Sequence, residues 1–96
     1  TKLPRYFHLY RCYPNPFNPS TTIKYDFPTR SHVALVIYDI LGKEVKRLVN
    51  TAQEPGDKSV SWNGTDSFGN PVSAGVYLYQ IRAGEFLETK KMILLK

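Results

Sequence analysis

The side chains that could take part in catalysis or metal binding are few in this sequence and lie far apart along it. His8 and His32 each stand without a second ligand at metal-binding spacing, so each is expected to be an ordinary surface or core histidine. Cys12 is the single cysteine, which excludes an internal disulfide and a thiolate metal cluster and favours a small buried apolar residue. No nucleophile is paired with a base, and no glycine-rich loop is placed to bind phosphate. The sequence therefore predicts a domain that is not an enzyme and uses no cofactor.

The side-chain oxygens are better explained by turns than by metal binding. Four aspartates stand at predicted strand ends or turns, where a carboxylate can accept backbone amides: Asp26, Asp39, Asp57 and Asp66. Asn63, Asp66 and Asn70 could offer oxygens to Ca²⁺ but lack the carboxylate density of a dedicated loop. Asn63 also begins a glycosylation acceptor pattern, although Asn-Gly is already accounted for as turn chemistry. A weak calcium site stays open as an alternative, and no metal binding of useful affinity is expected.

Length, charge and composition limit the remaining function classes. The 96 residues suffice for one domain, and the contents of 42% hydrophobic and 14% aromatic residues favour an ordered globular unit. The net charge of +5 comes from cations interleaved with acidic residues, without a recognition helix, so nucleic-acid binding is not expected. No apolar run is long enough for a transmembrane segment. Because the chain starts at Thr1 and its one methionine is Met92, we expect a piece of a longer protein, with any signal peptide upstream.

The elements that must position these side chains are short strands around an aromatic centre. Val60 and Trp62 share one face at the end of a predicted strand, a dense run of turn formers follows, and a new strand starts after Gly75. Tyr77 and Tyr79 share a face of that strand and are predicted to meet Trp62. The predicted core comprises eight residues: Ile23, Tyr25, Leu35, Ile37, Trp62, Tyr77, Tyr79 and Ile81.

Alternation and turn signals predict about seven short strands and no helix of note. The predicted strands cover residues 7–10, 22–27, 33–39, 43–49, 58–62, 75–83 and 86–96. A hairpin turn is predicted at Asp39-Ile40-Leu41-Gly42, and Val45, Leu48 and Val49 break strict alternation, which indicates a bulge or a sheet edge. The fold class is therefore all-β, an immunoglobulin-like antiparallel β-sandwich. Residues 1–12 are assigned to a linker with a candidate first strand, and residues 13–96 to the domain.

Residues 13–19 form a proline-rich segment, Tyr13-Pro14-Asn15-Pro16-Phe17-Asn18-Pro19. Residues that precede proline avoid the helical region, so the segment is predicted to be stiff and extended, with Tyr13 and Phe17 as anchors. Such a segment can be a ligand for an aromatic groove. The favoured interpretation is a rigid lead-in strand pinned to the edge of the domain.

Several blocks of this sequence resemble, in order and spacing, the C-terminal sorting domains of type IX secretion cargo proteins of the Bacteroidetes and related bacteria. The first blocks are Tyr13 to Ile23, Ile37-Tyr38-Asp39 and Gly42-Lys43-Glu44-Val45. The later ones are Trp62-Asn63-Gly64-Thr65-Asp66, Gly75-Val76-Tyr77 and Lys90-Lys91-Met92-Ile93-Leu94-Leu95-Lys96. The Trp-to-Tyr region is also similar to the immunoglobulin-like domain of the flagellar hook-capping protein. Cys12 departs from the sorting-domain pattern, which usually has a polar residue there.

The resemblance implies a non-catalytic C-terminal domain of a larger exported protein that acts as a sorting and cell-surface anchoring signal. The implied partners are the outer-membrane secretion machinery, its sorting and processing protease, and an upstream cargo domain in the same parent chain. The implied location is secreted or on the cell surface, by way of the periplasm. The positions carried over are Gly42, Gly75, Tyr77, Lys90, Lys91, Met92, Ile93, Leu94, Leu95 and Lys96.

Residues 90–96, called here the terminal block, are apolar on both strand faces. Met92 and Leu94 point one way, and Ile93 and Leu95 point the other. Such a strand offers a docking surface unless the fold covers both of its faces.

Two other functions stay open. One is a carbohydrate-binding accessory module of a secreted glycoside hydrolase, with Trp62 or exposed tyrosines as the sugar platform. The other is a structural immunoglobulin-like spacer, which would not depend on the terminal block.

Overall fold

Seven strands in two antiparallel sheets make up the chain in a computed structural model that describes residues 5–95. The strands are β1 (His8–Leu9), β2 (Thr21–Phe27), β3 (Ser31–Asp39), β4 (Glu44–Gln53), β5 (Gly56–Trp62), β6 (Gly75–Ala83) and β7 (Phe86–Leu94). One sheet has the order β1-β2-β5, and the other has the order β4-β3-β6-β7. The predicted all-β, immunoglobulin-like sandwich is confirmed. Within residues 5–95 no helix is long and apolar enough to cross a membrane.

Alternation explains how each sheet contributes to the core. In β2, Ile23, Tyr25 and Phe27 are buried, whereas Lys24 between them is exposed. All eight residues of the predicted core are buried, each 7% exposed or less. Cys12 is also buried and free, as expected for a small apolar residue. The predicted first strand is present as the shorter β1, while the division at residue 12 stays a prediction.

The irregular apolar pattern of β4 indicated a bulge or a sheet edge, and the strand has both features. It is the edge strand of the four-stranded sheet, and its register with β3 shifts between Leu35 and Val36 and again between Ile37 and Tyr38. The strand also runs four residues beyond the predicted end at Val49, because Thr51 and Ala52 still pair with β3. These residues carry no apolar alternation that would mark them as strand.

Two aspartates organise turns as predicted. Asp39 Oδ1 accepts the amides of Leu41 and Lys43, each at 2.9 Å, and Gly42 supplies the positive φ of 86° that the hairpin needs. Asp66 Oδ1 accepts the amides of Phe68 and Asn70 at 2.9 and 3.0 Å.

The same prediction was wrong for Asp26. Its side chain lies on the outer face of β2 and accepts a hydrogen bond of 2.6 Å from the Tyr10 hydroxyl, not from backbone. The reason is the pairing of β1 with β2, which brings residues 8–10 beside Asp26.

Candidate docking site at the terminal strand

The terminal block lies in β7, at the edge of the four-stranded sheet. β7 pairs with β6 on one side, so that Tyr77 is opposite Met92 and Leu78 is opposite Lys91. Met92 and Leu94 are fully buried, at 0% and 1% exposure, whereas Lys91 is exposed. On the inward side of the block Met92 and Leu94 are therefore core and Lys90 is half-buried, whereas the outward side lies on the surface. Lys96 falls outside the described residues.

The proline-rich segment covers the end of the β7 edge. Phe17 donates its amide to the Ile93 carbonyl at 2.9 Å and accepts the Leu95 amide at 2.8 Å, which gives a short parallel pairing. Asn15 extends this pairing with its side chain. Its Oδ1 accepts the Ile93 amide at 3.0 Å, and its Nδ2 donates to the Lys91 carbonyl at 3.4 Å. The proline-rich segment lies at the domain edge as predicted, but it forms two isolated bridges, from Tyr13 to Thr22 and from Phe17 to Leu94, and not a continuous strand.

Of the two predicted anchors in this segment, one is correct. Phe17 is 1% exposed, and its ring centroid lies 5.7 Å from that of Trp62. Tyr13 is 80% exposed, so its assignment as an anchor was wrong. The cause is strand alternation: Cys12 points into the core, so its neighbour Tyr13 must point out, while the Tyr13 backbone pairs with Thr22.

The outer face of β6 and β7 carries an apolar surface, which we call the outer patch and define as Val76, Leu78, Ile93 and Leu95. Val76 and Leu95 are 37% and 49% exposed, and Leu78 and Ile93 are half-buried. Val76 lies opposite Ile93 in the register, and Leu78 lies two residues further along the same face. The outer patch thus joins residues of two strands that are distant in sequence.

Three of the carried-over positions, Gly42, Gly75 and Tyr77, lie outside β7. Gly75 begins β6 opposite Leu94. Tyr77 is buried, with its ring edge-on to Trp62 at 5.3 Å and its hydroxyl donating to the Ser73 carbonyl at 2.6 Å. Gly42 lies in the β3–β4 turn, at the end of the sheet where β6 begins. A role of these residues in sorting stays a prediction.

Tyr79 joins the two sheets through its hydroxyl. It donates to the Tyr10 carbonyl at 3.0 Å and accepts the Cys12 amide at 2.9 Å. Burial raises the pKa of Tyr79 to about 12 from its ordinary value of 10.0. Burial also raises the pKa of Tyr25 and that of Tyr77. These tyrosines are held neutral inside the fold.

Alkaline solution is expected to destabilise the domain because the folded state binds the Tyr79 proton more tightly than the unfolded state does. The contribution is fully present below pH 10.0 and is lost as pH rises from there to about 12. Tyr79→Phe should be less stable than wild type at about pH 8, by about 1–3 kcal/mol, since the Cys12 amide loses its partner. Urea unfolding at about pH 8 and about pH 11 measures both effects. An equal loss with pH in wild type and Tyr79→Phe would contradict this assignment.

Two of the three candidate calcium-binding side chains, Asn63 and Asp66, are engaged within their own loop. Asn63 Oδ1 accepts the Thr65 hydroxyl at 2.6 Å, and one oxygen of Asp66 accepts two backbone amides. Residues 5–95 contain no group of three or more histidine, cysteine or acidic side chains placed to hold a metal ion.

A shallow groove of about 550 Å³ lies on the outer face of the three-stranded sheet. Its lining includes Tyr10, Lys24, Asp26, Asp57 and Ser59. Tyr10 is 40% exposed, and its ring stacks on that of His8 at 4.0 Å. Trp62, the proposed centre of a sugar platform, is 1% exposed and takes no part in this groove.

Sequence comparison supplies the family. The family model of the FlgD Ig-like domain matches residues 18–85, which is more than half of the chain. The chain belongs to the FlgD Ig-like domain family. The match ends at the β6–β7 turn, so the terminal strand of this FlgD Ig-like domain lies beyond the matched range.

Solved structures with a similar fold occur within longer proteins. The FlgD Ig-like domain resembles part of dimeric latent PorU from Porphyromonas gingivalis, with a TM-score of 0.72 and 23% identity over 88% of this chain and 9% of PorU. PorZ, a surface component of the type-IX secretion system of the same organism, gives 0.64 and 20% over 94% of this chain and 11% of PorZ. FlgD from P. aeruginosa gives 0.60 and 27%, over 77% of this chain and 58% of FlgD. No curated protein sequence gives a significant match.

The sequence prediction missed two parts of this site. Val76 and Leu78 were not assigned to it, although the alternation that sends Tyr77 and Tyr79 inward sends these two residues outward. Asn15 was not assigned either, and no local pattern marks a side chain that bonds to a strand 76 residues away.

Proposed function

We propose that this FlgD Ig-like domain is the non-catalytic C-terminal part of a larger exported bacterial protein, and that it acts as a type IX sorting and cell-surface anchoring signal. The observation that carries the proposal is the division of the terminal strand. Met92 and Leu94 fix the strand in the core, and Lys91 and Leu95 remain displayed at the sheet edge. A strand held in this way presents a defined surface to a partner.

Two further findings support the proposal. Six blocks of the sequence resemble sorting domains, and the terminal block is one of them. The fold also resembles a domain of PorZ, which is itself a component of the type-IX secretion system. In this proposal the partners are the outer-membrane secretion machinery, its processing protease and the upstream cargo domain. The parent protein reaches the cell surface or the medium by way of the periplasm.

A structural role is the second candidate function. It is favoured by the family match over residues 18–85, which excludes the terminal block, and by the 27% identity to FlgD. A spacer would tolerate any change on the outer half of β7 that leaves the fold intact.

Export of a foreign reporter tests the two candidates against each other. Residues 1–96 are fused to the C-terminus of a periplasmic reporter in a host with type IX machinery, and the reporter is measured in periplasm, surface and medium fractions. We expect export of the wild-type fusion. Lys91→Glu should reduce export by at least about tenfold, because a tenfold loss of affinity needs only about 1.4 kcal/mol and like charges at an interface cost more than that.

The matched control is Lys24→Glu, which reverses an exposed charge on the outer face of the other sheet. It should be exported normally, and both variants should keep the wild-type circular dichroism spectrum. Retention of the wild-type fusion in the periplasm would overturn the sorting proposal in favour of a spacer. Normal export of folded Lys91→Glu would show that the charge of Lys91 is not part of the sorting signal.

A further inference from the structure

We infer that the partner of this domain binds the outer face of the four-stranded sheet, and that the outer patch with Lys91 and Arg82 forms the contact. The partner is a protein surface that is apolar at its centre and carries carboxylates around it. This inference rests on the proposed sorting function and names the surface that the secretion machinery would recognise. The recognised feature is then a folded two-strand surface and not a linear C-terminal tail.

The register assembles this surface from β6 and β7. Val76 is opposite Ile93, and Leu78 is opposite Lys91. Side chains that face each other across neighbouring strands lie within contact distance, so these residues form one continuous area. On its other side Leu78 is opposite Tyr38 of β3, which extends the area toward the middle of the sheet.

The outer face of β5, in the other sheet, shows what a solvated strand face of this domain looks like. On the outer face of β5, Asp57, Ser59 and Ser61 are exposed, and Lys24 is exposed on β2. Antiparallel strands with one solvated face normally alternate in this way, apolar inward and polar outward. The outer faces of β6 and β7 depart from the rule at the four positions of the outer patch, which lie together, and at Leu87 toward the other end of β7. A grouped departure of this kind marks an interaction site.

Charge indicates the chemistry of the partner. Arg82 and Lys91 are exposed on the same face of the sheet, and within residues 5–95 neither forms an ion pair. The carboxylate of Glu44, opposite Tyr38 on this sheet, is paired with Arg47 at 2.9 Å. The surface is thus apolar with uncompensated positive charge, which is complementary to an apolar surface with carboxylates.

The same charges disfavour two other partners for this surface, a second copy of the chain and a membrane. A second copy bound through a two-fold axis would place the same patch against itself and bring like charges together. A membrane would gain little from two cations, since stable attachment to anionic lipid needs larger basic clusters. A protein surface of opposite charge is the occupant that fits.

The buried half of the terminal block explains why the surface needs the fold. A slip of β7 by one residue would exchange its faces and bury Lys91, so the burial of Met92 and Leu94 fixes which residues face outward. The hydrogen bonds that join Asn15 and Phe17 to β7 and to Leu95 hold the end of the strand in the same register. A synthetic peptide of residues 86–96 is therefore not expected to compete for the partner.

The test uses the reporter fusion with the double variant Val76→Thr/Ile93→Thr. Threonine keeps the β-branched shape that strands favour and removes apolar surface. The control is Phe68→Thr, which removes an apolar side chain that is 87% exposed, from the loop between β5 and β6 and outside the outer face of the four-stranded sheet. We expect export of the double variant to fall by about tenfold and export of the control to stay normal, with both variants folded by circular dichroism and thermal melting.

Each outcome bears on the inference separately from the proposed function. If wild type is exported and the folded double variant is exported normally, the outer patch is not the contact surface, and the proposed sorting function is unaffected. Retention of wild type would overturn both. Binding of wild type to vesicles of phosphatidylglycerol and phosphatidylcholine that the double variant loses would make a membrane the occupant. If light scattering shows that wild type is a dimer and the double variant is a monomer, the partner at the outer patch is a second copy of this chain. Either result would overturn the protein partner inferred here.

Discussion

Replacement of Trp62 by alanine is expected to lower the free energy of unfolding by about 3–5 kcal/mol, the range found when a large aromatic core side chain is truncated. Trp62 is 1% exposed and lies between Phe17 and Tyr77, at centroid distances of 5.7 and 5.3 Å. Its indole N–H donates to the Thr65 carbonyl at 2.9 Å, so the variant also leaves an acceptor of the turn-rich loop without its partner. A loss of this size is a large part of the stability of an ordinary small domain.

Denaturant unfolding measures the effect. Far-UV circular dichroism is the signal, because Trp62 is the one tryptophan of the chain and the variant has no indole fluorescence. The matched control is Phe68→Ala, which removes an aromatic side chain from the same loop. Phe68 is 87% exposed, so its removal should change stability by at most about 0.5 kcal/mol. Equal midpoints for Trp62→Ala and wild type would contradict the packing described here.

Deletion of residues 90–96 is expected to unfold the domain. The deletion removes Met92 and Leu94, and truncation of one such core side chain alone costs about 2–5 kcal/mol. It also removes the carbonyl and amide that pair with Phe17, together with the side chain that packs closely over Gly64. The sum exceeds the stability of a typical small domain. Circular dichroism and the loss of dispersed amide signals in NMR would report it.

A shorter truncation separates folding from surface. Removal of Leu95 and Lys96 keeps both buried side chains and loses the hydrogen bond between the Leu95 amide and Phe17, worth about 0.5–1.5 kcal/mol. That variant should stay folded. A folded protein after deletion of residues 90–96 would show that the terminal strand is not part of the core. An export defect of the long deletion reflects unfolding, so surface variants such as Lys91→Glu are the ones that test sorting.

Local pattern predicted the strands and the core well, because one buried face imposes a period of two on each strand. Ile23 and Tyr25 illustrate this, since both were predicted and both are buried. Local pattern failed where pairing between distant segments decides. The match of Asn15 and Phe17 to β7, and the approach of Tyr10 to Asp26, depend on which strands are neighbours in space.

For the candidate site, too, local pattern predicted one part, and pairing between distant strands decides the rest. The terminal block was recognised as apolar on both faces, and the division into a buried half and a displayed half follows from its pairing with β6. Val76 and Leu78 belong to the displayed surface through the same pairing. Such a surface becomes visible when the order of strands in the sheet is known, because residues of separate strands contribute to it.

The parallel pairing of Phe17 with the end of β7 has a mechanical consequence. An upstream cargo would pull this segment toward the N-terminus, while a partner holding β7 would pull in the opposite direction along the same line. In a parallel pair this tension loads the two hydrogen bonds between Phe17 and the residues Ile93 and Leu95 in shear, so they must break together. An antiparallel pair at the two ends of the chain would open one bond at a time. If the domain acts as the proposed sorting signal, traction between cargo and receptor would therefore load this parallel pair in shear.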